Sequence, residues 1–521
     1  MRKKRWISLL IAAVVGYVFL LVLLTAVESG DSNASIRSFS DALWYSVVTL
    51  STVGYGDLYP VTVAGKLIGL LFVLLSVGAL AFVVGSAVSL LTGHMLPRWR
   101  MRMLRRKKWY VFSEMNASSV ALARSLAEGN DDGVLLFPLE AKAHAPEELH
   151  LQYYPDTALK AAAAKKENCV IFFLDEENST NYERALSALP LGHHIYCSTE
   201  QNPDQCPENL TLFDGYTCCA RDYWRRQPLA RQERKVLLIG DGRYARELLE
   251  QGLAVNVFGP EHCVFYHIFG NWDDFRRNHP HLALTIGINE SREEADSLYF
   301  QEENWNAEEK LLEEADRIIL CCDEDRENMA ILQQLRRYFP VTGRVYLRSK
   351  VDVPGEMVFG MDRQIYTAQN VMANRLNQAA RAMHRIYQEE SPVDIPDWEA
   401  LREFVRQSNI AAADHLLIKI RLLLEDETIT DITGPLCQRA YHRFQETLAE
   451  KRQQYRSLEH LRWMRFHSLH NWRYGSVRCD ELRQHPMMVP FENLSEEEQA
   501  KDEYAWQLLA AMAEKLEQED T

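Results

Sequence analysis

The chain of 521 residues is short of several features that would point to common chemistries. Its ten cysteines all lie after residue 168, and no two stand as Cys-x-x-Cys. Neither a zinc site nor a disulfide framework is indicated, and buried thiols are the default for Cys169, Cys321 and Cys322. The histidines, including the pair His193-His194, lack metal-ligand spacing. No nucleophile–base–acid set, phosphate-loop lysine or metal-activated water site is visible, so an enzyme has no support. Positive charge is scarce, with 58 basic against 73 acidic residues and a net of −15. The first 108 residues hold 13 basic and 4 acidic side chains, which leaves 45 and 69, a net of −24, for the remaining 413. A broad basic face for nucleic acid is excluded there.

Two long apolar runs are present. Trp6 to Val27 follows Arg2, Lys3, Lys4 and Arg5. Lys66 to Leu91 precedes Arg98, Arg100, Arg102, Arg105, Arg106, Lys107 and Lys108. Each is long enough to cross a hydrocarbon layer of about 30 Å as a helix. Basic residues outside both ends predict that both are cytoplasmic. The first run is too long for a signal peptide and shows no cleavage site. The segment between them must re-enter the membrane, where non-helical backbone survives only if protein or a water path surrounds it. Ser38 to Ser51 suits a short pore helix, with Ser40 as N-cap and Trp44 and Tyr45 packed behind the following loop.

That loop reads Thr52-Val53-Gly54-Tyr55-Gly56-Asp57. It resembles the potassium selectivity filter, in which backbone carbonyls replace the ion's water shell. Gly54 and Gly56 allow the unusual dihedrals this needs. Potassium is expected at the carbonyls of Thr52, Val53, Gly54 and Tyr55, with Val53 and Tyr55 packing outward. Residues 1–108 resemble a two-transmembrane bacterial potassium channel pore. One filter per chain then implies a homotetramer. No helix is studded with arginines, so voltage sensing has no visible substrate. The resemblance makes Gly78 and Gly85 candidates for a gating hinge on the inner helix, and close helix packing is the competing role.

Residues 235–258 read strand, Gly-rich turn, helix, strand. Gly240, Gly242 and Ala245 fit the dinucleotide fingerprint, with the helix N-terminus free for an anion. No acid follows the second strand, taken to end at Val257-Phe258, and Glu261 is displaced, which counts against NAD. Residues 109–138 repeat the plan without glycines. Glu114 in their turn opposes a phosphate. Val170–Leu174 before Asp175-Glu176 echoes Ile318–Cys322 before Asp323-Glu324, and further strands are expected at 194–198 and 343–348. Asp175 and Asp323 are candidates for a ligand contact or a helix N-cap. Tandem units of this kind after a two-helix pore resemble regulator-of-potassium-conductance domains, which implies a cytosolic gating ring.

From about 373 the chain turns helical. The segments Arg406-Gln407-Ser408-Asn409, Ala412-Ala413-Asp414-His415 with Lys419, Leu458 to Trp463, Asn471 to Gly475 and Val489 to Leu494 resemble the prokaryotic ryanodine-receptor repeat. The resemblance implies a ligand-sensing or protein-contact module. Trp463, Trp472 and Tyr474 offer stacking faces. Arg462, Arg473 and Lys419 offer phosphate partners. Asn409, His415, Glu459 and His460 complete the candidate set, with Glu459–Arg462 as a plain ion pair the alternative.

The expected architecture is a membrane α-helical pore (1–108), two cytosolic α/β Rossmann-like domains (109–232 and 233–372) and an all-α module (373–521). The expected function is a homotetrameric, potassium-selective channel of the plasma (inner) membrane, multi-pass, with both termini cytoplasmic. Its gate would answer a nucleotide or nucleotide-derived second messenger at the C-terminal module, and a role as a stress or antiviral effector is an analogy. Two alternatives stand beside it. One is a housekeeping channel sensing NAD(H), ATP or a divalent cation through the Rossmann units. In the other, the C-terminal module binds a partner protein.

Overall fold

The computed structural model describes residues 2–90, 103, 106–129, 133–144, 146–154, 168–175, 178–201, 203, 206–259 and 261–519. Arg98, Arg100, Arg102, Arg105, Leu91 and Glu176, invoked above, lie outside the described residues. The chain divides into two compact units, Met1–Arg105 and Arg106–Thr521.

The first unit is three helices: α1 (Arg2–Glu28), α2 (Phe39–Leu50) and α3 (Val63–Leu90). Among the described residues no helix is long and apolar enough to cross a membrane. The described side chains of α1 begin at Val15, and those of α3 are interrupted from residue 76 onward. The backbone helices themselves run 27 and 28 residues. Helix α2 is capped two residues earlier than the sequence suggests. Its N-cap is Ser38, not Ser40, because Asp41 completes a capping box with Ser38. The core holds Leu21, Leu24, Ile36, Ala42, Ile68 and Phe72. Tyr45 packs edge-on against Phe72. Gly69 lets α3 approach the Tyr45 hydroxyl, which a Cβ would meet at 2.7 Å.

The second unit begins with six parallel strands: β1 (Trp109–Phe112), β2 (Val134–Pro138), β3 (Gln152–Tyr154), β4 (Cys169–Phe173), β5 (His194–Ser198) and β6 (Leu210–Phe213). Their order is β3-β2-β1-β4-β5-β6, the doubly wound arrangement of a Rossmann-type sheet. Helices α4 (Ala117–Glu128), α5 (Asn178–Ala188) and α6 (Gly215–Arg226) join them. Aromatic rings fix the order across the sheet. Phe112 stacks on Phe137 at 4.5 Å and on Phe172 at 4.9 Å, and Phe172 stacks on Tyr196 at 5.4 Å.

The same plan recurs with β7 (Lys235–Ile239), α7 (Arg243–Val255), β8 (Phe265–Phe269), β9 (Gly287–Ile288), β10 (Ser297–Gln301), β11 (Arg317–Leu320), α8 (Asp325–Tyr338), β12 (Arg344–Arg348) and β13 (Met357–Phe359). The order is β13-β12-β11-β7-β8-β10-β9, so β7 pairs with β8 and β11 as β1 pairs with β2 and β4. Asn181 and Asn328 play the same part in each copy. Each side chain bonds the backbone six residues earlier and a carbonyl on the neighbouring strand, Ser198 or Arg348. This equivalence sets Asp175 beside Cys322, one position off the echo expected between Asp175 and Asp323.

One expectation fails. The strand after the Gly-rich helix is Phe265–Phe269, not a segment ending at Val257-Phe258. Val255 and Val257 are instead buried in the core of the C-terminal helices. Tertiary burial there overrides the β-forming run of the sequence.

The two sheets also exchange elements. Helix α6, between them in sequence, places Cys219, Tyr223 and Trp224 in the core of the second sheet. Val371, after the second sheet, is buried in the core of the first.

The C-terminal helices are α9 (Gln378–Glu390), α10 (Glu403–Asp414), α11 (Leu416–Leu424), α12 (Gly434–Gln445), α13 (Ala449–Leu469) and α14 (Tyr504–Glu519). Phe444, Tyr455 and Trp506 centre their core. Arg465 ties α13 to the second sheet's domain. Fully buried, it pairs with Asp296 at 3.1 Å and donates to the Thr285 hydroxyl and carbonyl.

Candidate functional site

After α2 the backbone φ alternates in sign. Thr52, Gly54 and Gly56 have φ of 58°, 60° and 73°, while Val53 and Tyr55 stay in the ordinary negative range. Alternating hands turn successive carbonyls to one side, where a strand would alternate them. A β-branched residue at positive φ is a genuine outlier and costs free energy. Nothing lies within 4 Å of a Cβ built on Gly54 or Gly56. These glycines therefore serve conformation and not space.

The loop is held from behind. Trp44 Nε1 donates to Asp57 Oδ2 at 2.8 Å, and its ring lies parallel to Tyr55 at 6.2 Å. That hydrogen bond holds the Asp57 carboxyl below the usual carboxylate range. The Val53 and Gly54 amides donate to the Val48 carbonyl. Glu28, at 0% exposure, accepts from the Val61 and Thr62 amides and the Thr62 hydroxyl. This pins the end of α1 to the start of α3. Val53 and Tyr55 are 53% and 69% exposed in the single chain. Gly78 and Gly85 sit inside the unbroken α3 with no atom near a built Cβ.

The Gly-rich turn is occupied by the chain itself. Asp323 accepts from the Arg243 and Tyr244 amides at 3.0 Å each, one per carboxylate oxygen. These are the first N–H groups of α7, where a phosphate would sit. A Cβ on Gly242 would lie 2.4 Å from that carboxylate, and one on Gly240 would lie 2.7 Å from the Cys322 amide. Ala245 is fully buried in the sheet–helix core. The three positions come together as expected, but the residues present do not fit a dinucleotide phosphate. Asp323 accepts from the opening amides of α7, 80 residues earlier, while the N-cap of α8, the helix that follows it, is Glu324. The N-cap position of α5, the helix that follows Asp175, lies outside the described residues. Asp175 accepts from the Ser113 hydroxyl and pairs with Arg184.

The C-terminal candidates separate into three groups. Lys419, Glu459 and Arg462 form a buried ion triad. Glu459 lies 2.7 Å from both Lys419 Nζ and Arg462 Nη2. Burial opposes the Glu459 charge, and the two cations more than offset it, so its pKa falls well below the usual range. Lys419 also lies over the Trp506 ring. The phosphate partners expected of Arg462 and Lys419 are thus supplied by Glu459, because an unpaired charge at this depth is costly. His415 and His460 are likewise structural. His415 Nε2 donates to the Val257 carbonyl at 2.9 Å, and burial pushes its pKa down to about 3. His460 Nε2 donates to the Val489 carbonyl at 2.8 Å.

Trp463 and Trp472 belong to a second group, an aromatic–imidazole cluster. Trp463 lies 3.9 Å from the His467 ring and 5.0 Å from His485, and Trp472 stacks on Phe404 at 5.0 Å. Burial pushes His467 down to about 3 and lowers His470 and His485. Arg473 and Tyr474 form the third group, exposed on a two-stranded ribbon with Gln484–His485. Asn409 stands apart and donates to His384 Nδ1 at 3.3 Å.

Sequence reasoning missed Asp323 as the occupant of the turn, His467, His470 and His485 as ring partners, and a run of cavity arginines. His467 and His470 were findable by their three-residue spacing at the end of α13, whereas His485 comes from the ribbon. Asp323 was not, since nothing local links it to residue 243.

Comparison with known proteins agrees with the two ends of the chain. Residues 6–93 match the ion channel family, and residues 439–513 match the RyR domain. The chain carries a channel pore domain and a RyR domain. A voltage-gated potassium channel of Aeropyrum pernix is 47% identical over 76 residues, 14% of this chain and 26% of that protein. Human potassium voltage-gated channel subfamily A member 6 is 45% identical over 62 residues, 12% of each chain. The match thus spans about a quarter or less of these relatives. Among solved structures, GsuK bound to ADP aligns over 70% of this chain and 99% of its own, at 14% identity and a TM-score of 0.35. The GsuK channel bound to NAD aligns over 72% and 85%, at 11% identity and a TM-score of 0.33.

Proposed function

We propose that this chain is the subunit of a homotetrameric, potassium-selective channel of the cell membrane, gated by its large α/β and helical region. The observation that carries the reading is the alternation of φ along Thr52–Gly56, at the end of a helix and on the motif Thr-Val-Gly-Tyr-Gly-Asp. A ring of carbonyls needs several such loops about one axis. The exposed Val53 and Tyr55 side chains leave room for neighbouring copies. Helices of 27 and 28 residues are about 40 Å long, enough to cross the hydrocarbon layer. Exposed Phe19, Leu67, Leu74 and Val83 suit contact with lipid or another subunit.

The gating signal in this reading is a nucleotide or nucleotide-derived molecule. A Rossmann-site signal is disfavoured, because Asp323 fills the turn. The RyR domain makes a sensor in the C-terminal region the better choice, and a stress or defence role rests on analogy alone. Vesicles loaded with potassium test the proposal. Reconstituted protein should release potassium and retain sodium, and the detergent-solubilised assembly should have the mass of four chains. Equal release of both ions, or a monomer, contradicts it.

A further inference from the structure

A cavity of about 990 Å³ opens between α6 and α7 of the second sheet's domain and the C-terminal helices α9 to α11, the segment before α12 and Leu516 of α14. Its size is that of a small-molecule site. Five arginines line it: Arg221, Arg225, Arg375, Arg381 and Arg385. Four carboxylates face them, Asp397, Glu399, Asp414 and Asp431.

The pairing among these groups is uneven. Arg221 is fully committed, with Asp414 bidentate at 2.7 and 2.9 Å and with Asn377 and the Leu376 carbonyl. Arg381 pairs with Glu399 at 2.7 Å, though its buried Nε has no partner among the described residues. Arg225 reaches Asp431 only at 3.7 Å. Arg375 bonds the neutral Gln369 side chain at 3.1 Å. Arg225 and Arg375 therefore retain donors for an outside anion, and a guanidinium fork matches phosphate oxygens.

We propose that this cavity binds a phosphorylated small molecule of nucleotide size, with its phosphate on Arg225 and Arg375. The site replaces two others. The Gly-rich turn is filled by Asp323, and the expected partners Lys419 and Arg462 are bound to Glu459. Its position also suits a signal. The walls come from the second sheet's domain and from the C-terminal helices, so a ligand that prefers one arrangement of the two shifts the population toward it. That last step rests on the gated-channel reading, while binding does not.

The test uses the full chain in detergent, titrated by calorimetry with inorganic pyrophosphate and with ADP. Both should bind, ADP more tightly, and added salt should weaken both. The double variant Arg225→Gln, Arg375→Gln should lose at least about tenfold in affinity for each, with an unchanged melting temperature. Arg337→Gln, exposed on α8 and not a lining residue, should bind like the parent. If the double variant does not fold, Arg375→Gln alone serves, since that side chain is exposed. Failure of both probes to bind at millimolar concentration, or wild-type affinity in the variants, overturns the proposal. Binding without any change in potassium flux keeps the cavity and removes the gating reading. Nucleotide-dependent flux that survives in the double variant keeps gating and removes the cavity.

Discussion

The chain uses the pattern Gly-x-Gly twice, at 54–56 and at 240–242, under different demands. In the first, both glycines have positive φ and no neighbour among the described residues within 4 Å of a built Cβ. In the second, Gly240 also has positive φ, 140°, but a Cβ would strike backbone there and the Asp323 carboxylate at Gly242. The pore segment needs glycine to turn carbonyls, and the sheet needs it to let another part of the chain come close. A glycine motif therefore reports a backbone demand, and only the surroundings say which one. At 240–242 the space is taken by the protein's own carboxylate, which accepts from the two amides that open α7.

The comparison breaks most visibly at Gly54. Gly54→Ala should leave the protein assembled, since forcing one side chain into the left-handed region costs about 1–2 kcal/mol. It should nevertheless abolish selective current, because the alternation of φ that turns the carbonyls to one side is lost. Unchanged selectivity in bilayers would remove the conformational account of the filter.

Gly242→Ala should instead be a stability defect, about 1–3 kcal/mol as for other overpacked sites. Asp323→Ala in the same chain should relieve part of it, and a double-mutant cycle of denaturation midpoints reads the coupling. Strict additivity would mean that the two groups do not meet.

Acid should separate the C-terminal helices from the filter. His415 and His467 are held neutral, with pKa values pushed from 6.5 down to about 3 by burial. The unfolded chain then binds more protons between about pH 3 and 6.5. Stability is full above that window and falls as pH drops into it, by about 1.4 kcal/mol per unit for each group. His415→Gln, which can still donate to Val257, should lower the slope of stability against pH by about 1.4 kcal/mol per unit within that window. A slope unaffected by the substitution would contradict the assignment.

The smallest effect is expected for Asp323→Asn. The amide keeps one acceptor for the α7 amides but loses the charge that complements the helix dipole, worth about 0.3–1 kcal/mol. Thermal melts of matched samples resolve a change of that size. A rise in stability would show the carboxylate to be an unfavourable guest.

Much of the architecture was legible because it is local. The capping of α2 was misplaced only from Ser40 to Ser38, and the strands at 194–198 and 344–348 stand where apolar runs end in turns. The second strand of the Gly-rich unit was not legible. Residues 254–258 have strand composition, but α13 and its neighbours bury Val255 and Val257 from the other side. Among the C-terminal candidates, Glu459 satisfies both cations, Arg462 from within one turn of α13 and Lys419 from α11. Sequence spacing identifies the Arg462 pair and cannot show that Lys419 joins it.

The most direct measurement is the reversal potential of the reconstituted full chain with potassium on one side of a bilayer and sodium on the other. A carbonyl-lined pore places it close to the limit for a membrane permeable to potassium alone. A reversal near zero, with current carried equally by both ions, would contradict the account.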